Sequence, residues 1–402
     1  MDADPGTHLV SVAGGLRLPP SGDPVGPGAW HRIATRTTSS ERLSGRLALR
    51  LGADRVELVR SGRAALREAL RTAAEATGRG EVLIPAYTCF SVPAAAVSAG
   101  LRVRLVDVDD EGRLDAESLA ETPLEEVAAI VVCNLFGRAE PIEGVRRAAA
   151  DAGTWVIDDA AQAFGAMEPS STGRAVGARS ELGVLSFGRG KPLSGLGGGA
   201  LVLAEGVSAT APRCGDVQPS PKRAACKAVV WDLALQPVVF GLLAAIPALG
   251  IGETPFEPDF EGGSIDGASL VLADHALDVA AAVAERRVAE AERLAGDLRE
   301  RTRFEPILAE PGEHAVYPRL AVRAPDEGIR SAALAALARC GAGGSPFYPA
   351  ALSRLEPLRA HRVDSATMPG AERLAGRLLT LPVHGGLRAG RWHAALEELA
   401  AL

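Results

Sequence analysis

No basic face, no paired-cysteine motif and no repeat stands out in these 402 residues. The formal net charge is −7 and the basic residues are dispersed, which argues against a nucleic-acid partner, because such a partner needs concentrated positive charge. The five cysteines (Cys89, Cys133, Cys214, Cys226 and Cys340) are odd in number and form no CxxC pair. That spacing argues against a disulfide framework and against structural zinc, so no metal site is expected. The N-terminus is rich in Gly, Pro and Asp and lacks the basic head and apolar core of a signal peptide, so a cytoplasmic protein is expected. Without a repeat period, the length suits one large domain with a smaller companion.

What is present centres on Leu182 to Leu203. An apolar run breaks at Ser186, passes through Gly188, Arg189 and Gly190 to Lys191, and resumes at Ala200 after a glycine-rich loop. This is a lysine presented between two strands; alone, the same pattern also describes a solvated loop.

Residues 1 to about 40 carry much Gly and Pro and little periodicity, and read as a loosely ordered arm. Ser40 to Leu51 reads as a short helix capped by serines. A strand at Val56–Val59 runs into Ser61-Gly62-Arg63 and a helix reaching about Ala76. A turn into a helix start gathers unpaired N–H groups at the positive end of the helix dipole, which suits a phosphate as well as an ordinary cap. Short β-branched runs then alternate with alanine-rich helices, the rhythm of a parallel α/β sheet. Strands are expected at Glu81–Ile84, Arg102–Val106, Ala128–Val132, Trp155–Ile157, Val184–Phe187 and Ala200–Leu203. Functional residues in such sheets gather at the carboxyl ends of strands, where Pro85 to Phe90, Asp159 to Gln162 and Ser186 to Lys191 lie.

Ala234 to Ile251 is almost wholly apolar. Pro237 and Pro247 within it, and Lys227 and Asp232 beside it, argue against a membrane span. A buried or interface helix is expected, with contact at a membrane surface as the alternative. A long helix follows from Ala268 to about Arg301. The rest, with a strand at Ala315–Val322 and a helix at Ile329–Cys340, reads as a smaller α+β domain. The division expected is an arm over 1–40, a large domain over 41–260 and a small C-terminal domain over 261–402.

Three features converge on pyridoxal 5'-phosphate, which needs a lysine to hold it as a Schiff base, a carboxylate on its ring nitrogen and a phosphate cup. Lys191, Asp159 and the Ser61-Gly62 helix start supply them, in the chain order of fold type I enzymes. The sequence resembles the DegT/DnrJ/StrS sugar aminotransferases. Pro85-Ala86-Tyr87-Thr88, Val156 to Gly165 (Val-Ile-Asp-Asp-Ala-Ala-Gln-Ala-Phe-Gly), Ser186-Phe187 with Lys191, and Leu379 to His384 each look like one of that family's motifs. The resemblance implies a fold type I α/β architecture, with a mostly parallel central sheet. It makes Lys191 and Asp159 catalytic, gives Gln162 the ring hydroxyl and Ser186 the phosphate, and implies a homodimer.

The chain departs from the family at several places. Arg63 stands where a threonine is usual and Cys89 where an aromatic stacks on the ring. Leu196 to Gly199 replaces Gly-Glu-Gly-Gly, Asn134 and Ser353 replace histidines, and the Asn-x-Arg-Met segment that reaches a neighbouring subunit is not recognisable in 262–272. Arg63 or Arg189 is a candidate for the missing phosphate contact. The expected reaction moves an amino group from an amino-acid donor, glutamate or glutamine, to a keto group of a nucleotide-linked sugar or related cyclic ketone. Elimination, dehydration or carbon-carbon cleavage on the same scaffold, and a non-catalytic regulatory protein, are the alternatives.

Overall fold

The computed structural model describes residues 17–168, 174–209, 217–246 and 255–402. Cys214, the first sixteen residues and the end of the apolar stretch at 247–251 lie outside them.

Seven strands form the central sheet: β1 (Arg55–Val59), β2 (Glu81–Pro85), β3 (Arg102–Val106), β4 (Val127–Cys133), β5 (Trp155–Asp159), β6 (Leu182–Ser186) and β7 (Gly199–Leu203). Their order is β1-β7-β6-β5-β4-β2-β3. β7 runs antiparallel to both its neighbours, and the pairs from β6 to β3 are parallel. Every residue of β4 is buried, as a strand covered on both faces by crossover helices must be, and this is why it reads as an unbroken apolar run. The helices include α1 (Pro27–Ala34), α2 (Ser40–Leu51), α3 (Gly62–Thr77), α4 (Ser91–Ser98), α5 (Ala116–Glu121) and α6 (Ile142–Ala152). Ser39, Ser61 and Asp115 cap α2, α3 and α5 through their side chains, satisfying N–H groups that a helix start leaves unpaired.

A second, antiparallel sheet joins β8 (Glu305–Ile307), β9 (Leu320–Arg323) and β10 (Leu378–Leu381) in the order β10-β9-β8. Between the two sheets runs α9 (Gly267–Arg301). Its first turns bury Leu270 and Ala273 against Phe187 and Leu193 of the large core. Its last turns bury Ala291, Leu294 and Leu298 against Leu320 and Leu379 of the small one. The core therefore changes hands within this helix, some way beyond the division expected at residue 260.

Two further expectations are corrected. Residues 17–40 are not a loose arm, for α1 buries Ala29 and Ile33. Asp232 accepts hydrogen bonds from Val25 N, Gly26 N and Trp30 Nε1, and Arg287 holds Asp23 at 2.6 Å. The expected strand at Ala315–Val322 pairs regularly only from Leu320. Tyr317 adopts φ 30° and packs against the turn at Gly137, where an added Cβ would stand 2.6 Å from Tyr317 N.

For the apolar stretch the buried alternative fails, since no described residue in 234–246 is buried. α7 (Pro221–Ala234) and α8 (Pro237–Ala244) meet at a bend of 84°. Pro237 opens α8, where it cannot donate to the preceding turn and where it disfavours helix at Gln236. No residue of α8 is buried, and Val230, Leu233, Val238 and Leu242 are each more than half exposed. Beyond these, α10 (Glu327–Arg339), α11 (Pro369–Arg377) and α12 (Ala389–Ala400) complete the small domain.

Candidate active site

The carboxyl ends of β5 and β6 and the start of α3 meet at one place. Parallel pairing puts Cys133 of β4 beside Asp159 of β5, and Asp159 beside Val184 of β6. Ser61 bridges to Gly198, which brings the α3 start against the strand that leaves the lysine loop. A Cβ on Gly62 would stand 2.6 Å from Ser186 Cβ and 2.8 Å from its Oγ, so only glycine lets the two elements close to this distance. Ser61 spends its hydroxyl on Ala64 N. Gly62 and Arg63 open α3, where a helix start leaves N–H groups without an intrahelical partner, and Gly62 lies directly against Ser186.

The lysine loop is fastened to the end of β6. Phe187 O accepts from both Gly195 N (2.8 Å) and Gly197 N (3.0 Å), Lys191 N donates to Gly188 O, and Gly188 N donates to Ser186 Oγ at 3.4 Å. Lys191 is half-buried there, and its ammonium acts on Asp159. Asp159 is 8% exposed, and among the described residues its carboxylate accepts one hydrogen bond, from Ala161 N at 2.9 Å. Burial pushes its carboxyl up to about 6, against the opposing pull of Ala161 N–H and Lys191. A buried carboxylate that accepts only one hydrogen bond fits a cationic group such as a protonated ring nitrogen.

Asp158, one residue earlier, turns to the other side of the strand. Arg179 bonds it through Nη2 (2.8 Å) and Nε (3.0 Å), Asn134 Nδ2 donates at 2.8 Å and Gly177 N at 2.7 Å. Burial opposes its ionisation, but Arg179 and these donors hold it below the usual carboxylate range. Asn134 Nδ2 also donates to the Asp159 carbonyl, so the network under the strand fixes the backbone that presents Asp159.

Gln162 Nε2 donates to Tyr348 Oη at 2.8 Å, and its Oε1 accepts from Phe136 N. Tyr348, from the segment after α10, thereby closes one side of the site. The Tyr348-Pro349 pair was visible in the sequence, but nothing there indicated this contact. Cys89 is half-buried beside it and accepts from Ser91 Oγ at 3.0 Å. Burial, reinforced by Cys89, raises the Tyr348 phenol well above its ordinary range.

Arg63 does not place its side chain in the cup. Arg63 donates to the Glu257 carbonyl at 3.1 Å and lies 5.0 Å over the Phe260 ring, leaving only its backbone N–H toward the site. Arg189 is exposed. The segment in place of Asn-x-Arg-Met is engaged in capping, since Asp266 accepts from Ala268 N and Ser269 N at the start of α9. Among the described residues, four non-glycines have φ between +30° and +64°: Phe136, Leu196, Tyr317 and Phe347. Phe136, which donates to Gln162, Leu196 of the lysine loop and Phe347 beside Tyr348 border this site, where such strain is commonly held.

A parallel sheet with a lysine loop, a buried carboxylate and a helix-start cup defines a PLP-type α/β architecture. A model of the DegT/DnrJ/EryC1/StrS aminotransferase family matches residues 31–227 and 268–399, and the chain belongs to that family. It is 31% identical over 181 residues to 3-amino-5-hydroxybenzoate synthase of Amycolatopsis mediterranei (44% of this chain, 45% of the relative). Over 148 residues it is 34% identical to an Acidithiobacillus ferrooxidans protein named as a UDP-N-acetyl-3-dehydro-alpha-D-glucosamine 3-aminotransferase (36% and 38%). The chain thus spans less than half the length of these curated relatives. The structure of Helicobacter pylori PseC, an aminotransferase of pseudoaminic acid biosynthesis, superposes with a TM-score of 0.73 at 16% identity, covering 96% of this chain and 100% of that one. The likeness to PseC establishes the fold.

Proposed function

We propose that this protein is a pyridoxal 5'-phosphate-dependent aminotransferase. It moves an amino group from an amino-acid donor, glutamate or glutamine, to a keto group on a nucleotide-linked sugar or related cyclic ketone. The observation that carries this reading is the meeting of Lys191 and the buried Asp159 beside the open start of α3. When bound, the cofactor supplies the electron sink for a carbanion at the substrate Cα. Asp159 would keep the ring nitrogen protonated, Gln162 and Tyr348 would border the ring hydroxyl, Cys89 would line the ring's side, and Ser61, Gly62, Arg63 and Ser186 would form the phosphate cup. The Lys191 amine carries the proton to and from the substrate Cα.

The protein is also proposed to be cytoplasmic and to act as a homodimer. Two observations support assembly: the apolar face of α7 and α8 is exposed, and the arginines near the cup are engaged elsewhere. Arg60 pairs with Glu261, Arg63 with Glu257, and Arg67 with Glu68.

The chain has three lysines, Lys191, Lys222 and Lys227. Borohydride reduction of the cofactor-loaded protein, followed by peptide mapping, is expected to place the label on Lys191 alone, and Lys191→Ala to fold, bind the cofactor reversibly and fail to transaminate. A label on Lys222 or Lys227 overturns the assignment. Conversion to the amino form of the cofactor with glutamate or glutamine, reversed by a keto-sugar nucleotide, tests the reaction.

A further inference from the structure

Arg319, immediately before β9, differs from the other well-buried arginines. Arg179 holds Asp158 and Glu168, Arg138 holds Glu111, and Arg287 holds Asp23. Arg319 has no carboxylate within 4.0 Å among the described residues. Its Nη2 donates to Ser21 Oγ at 3.0 Å, its Nη1 to Ser345 Oγ at 3.4 Å, and its Cζ lies 5.5 Å from the centre of the Phe347 ring. All three partners are neutral. Burial lowers its pKa to about 10, with only Tyr348 opposing. A guanidinium in such surroundings gains most from an anion that arrives from outside, and Arg319 keeps part of its surface open.

Its neighbours place it at the reacting end of the site. Ser21 Oγ stands 2.5 Å from where a Cβ on Gly190 would be, one residue from Lys191. The Phe347 ring lies 4.1 Å from that of Tyr348, which bonds Gln162. The cofactor's own phosphate, on the proposed reading, would sit at the start of α3 and would not satisfy this cation.

We propose that Arg319 anchors a substrate carboxylate, that of the amino-acid donor, with a carboxylate borne by the acceptor as the other source of the same chemistry. The planar, forked N–H array matches a carboxylate, and Ser21 connects it to the loop that carries Lys191. The inference rests on the aminotransferase reading, but its test separates from it. If wild-type protein is not labelled at Lys191 by borohydride, that reading fails first.

The experiment compares wild type, R319Q and R319K as holoenzymes. Glutarate, a non-reacting dicarboxylate, is titrated calorimetrically, and conversion of the cofactor to its amino form by glutamate is followed by absorbance without acceptor. R319Q is expected to keep its Lys191 label, to weaken glutarate and to raise the glutamate needed for half-conversion on the order of 100-fold, the loss typical of an unpaired buried charge partner. R319K is expected to recover part of this. A defect confined to the acceptor half-reaction assigns the carboxylate to the acceptor. Unchanged glutarate binding together with unchanged half-reactions overturns the proposal, as does loss of the cofactor in both variants, which makes the arginine structural.

Discussion

Asp158 and Asp159 are chemically identical neighbours with opposite surroundings. Asp158 is fully buried against Arg179 and is held ionised; Asp159 lies buried with no counter-charge in bonding contact among the described residues, and burial raises it from an ordinary 3.8 to about 6. The signs of their pH effects therefore differ. With a raised folded pKa, Asp159 costs the cofactor-free protein stability as pH rises through roughly 4 to 6, on the order of 3 kcal/mol at completion. Asp159→Asn is expected to remove that pH-dependent loss in urea titrations of the apo-protein while reducing turnover of the holoenzyme by several orders of magnitude. Asp158 contributes stability above its unfolded pKa that is lost as pH falls. Asp158→Asn leaves Arg179 short of a buried partner and is expected to cost about 3–5 kcal/mol in the same titrations. The reverse pattern, a mild Asp159→Asn and a catalytically fatal but stable Asp158→Asn, would show the two roles to be exchanged.

Among the elements, those set by local rules were legible. Ser40–Leu51 and Arg102–Val106 have the ends that their caps and apolar patterns indicate, and the other sheet strands differ from expectation by only one or two residues. What could not be read depends on contacts far apart in sequence. Tyr317 leaves the strand pattern because Gly137, 180 residues earlier, packs on its backbone. Arg63 reads as a phosphate ligand beside Gly62 until Glu257 and Phe260 draw its side chain away. Lys191, Asp159 and Ser186 announce themselves by strand-end position, whereas Tyr348 and Arg319 reach the site only through the fold of the small domain. The join between α3 and β6 is narrow enough to test. Gly62→Ala would force its Cβ into Ser186, and is expected to cost ~1–3 kcal/mol and to weaken cofactor retention at least tenfold by equilibrium dialysis. An alanine variant with native stability and retention would mean that the cup tolerates opening.

At the scale of the molecule, the 84° bend between α7 and α8 leaves a largely apolar face without cover among the described residues. Patches of this kind on soluble chains commonly mark association surfaces. Leu242→Glu together with Val238→Glu is expected to shift the protein from dimer to monomer in light scattering at micromolar concentration and to reduce cofactor retention in parallel. A wild-type monomer that transaminates without detergent would remove the homodimer from the reading, and a protein soluble only with lipid would favour the membrane-surface alternative.

Helix α9 belongs to both hydrophobic cores, with Leu270 in one and Leu298 in the other. Neither core can melt without exposing part of a helix that the other is holding. The two sheets are thus tied into one cooperative unit, the more so because Ile307, Ala321 and Leu378 of the small sheet pack into the core of the large one, and the heat-absorption profile should show a single transition rather than two.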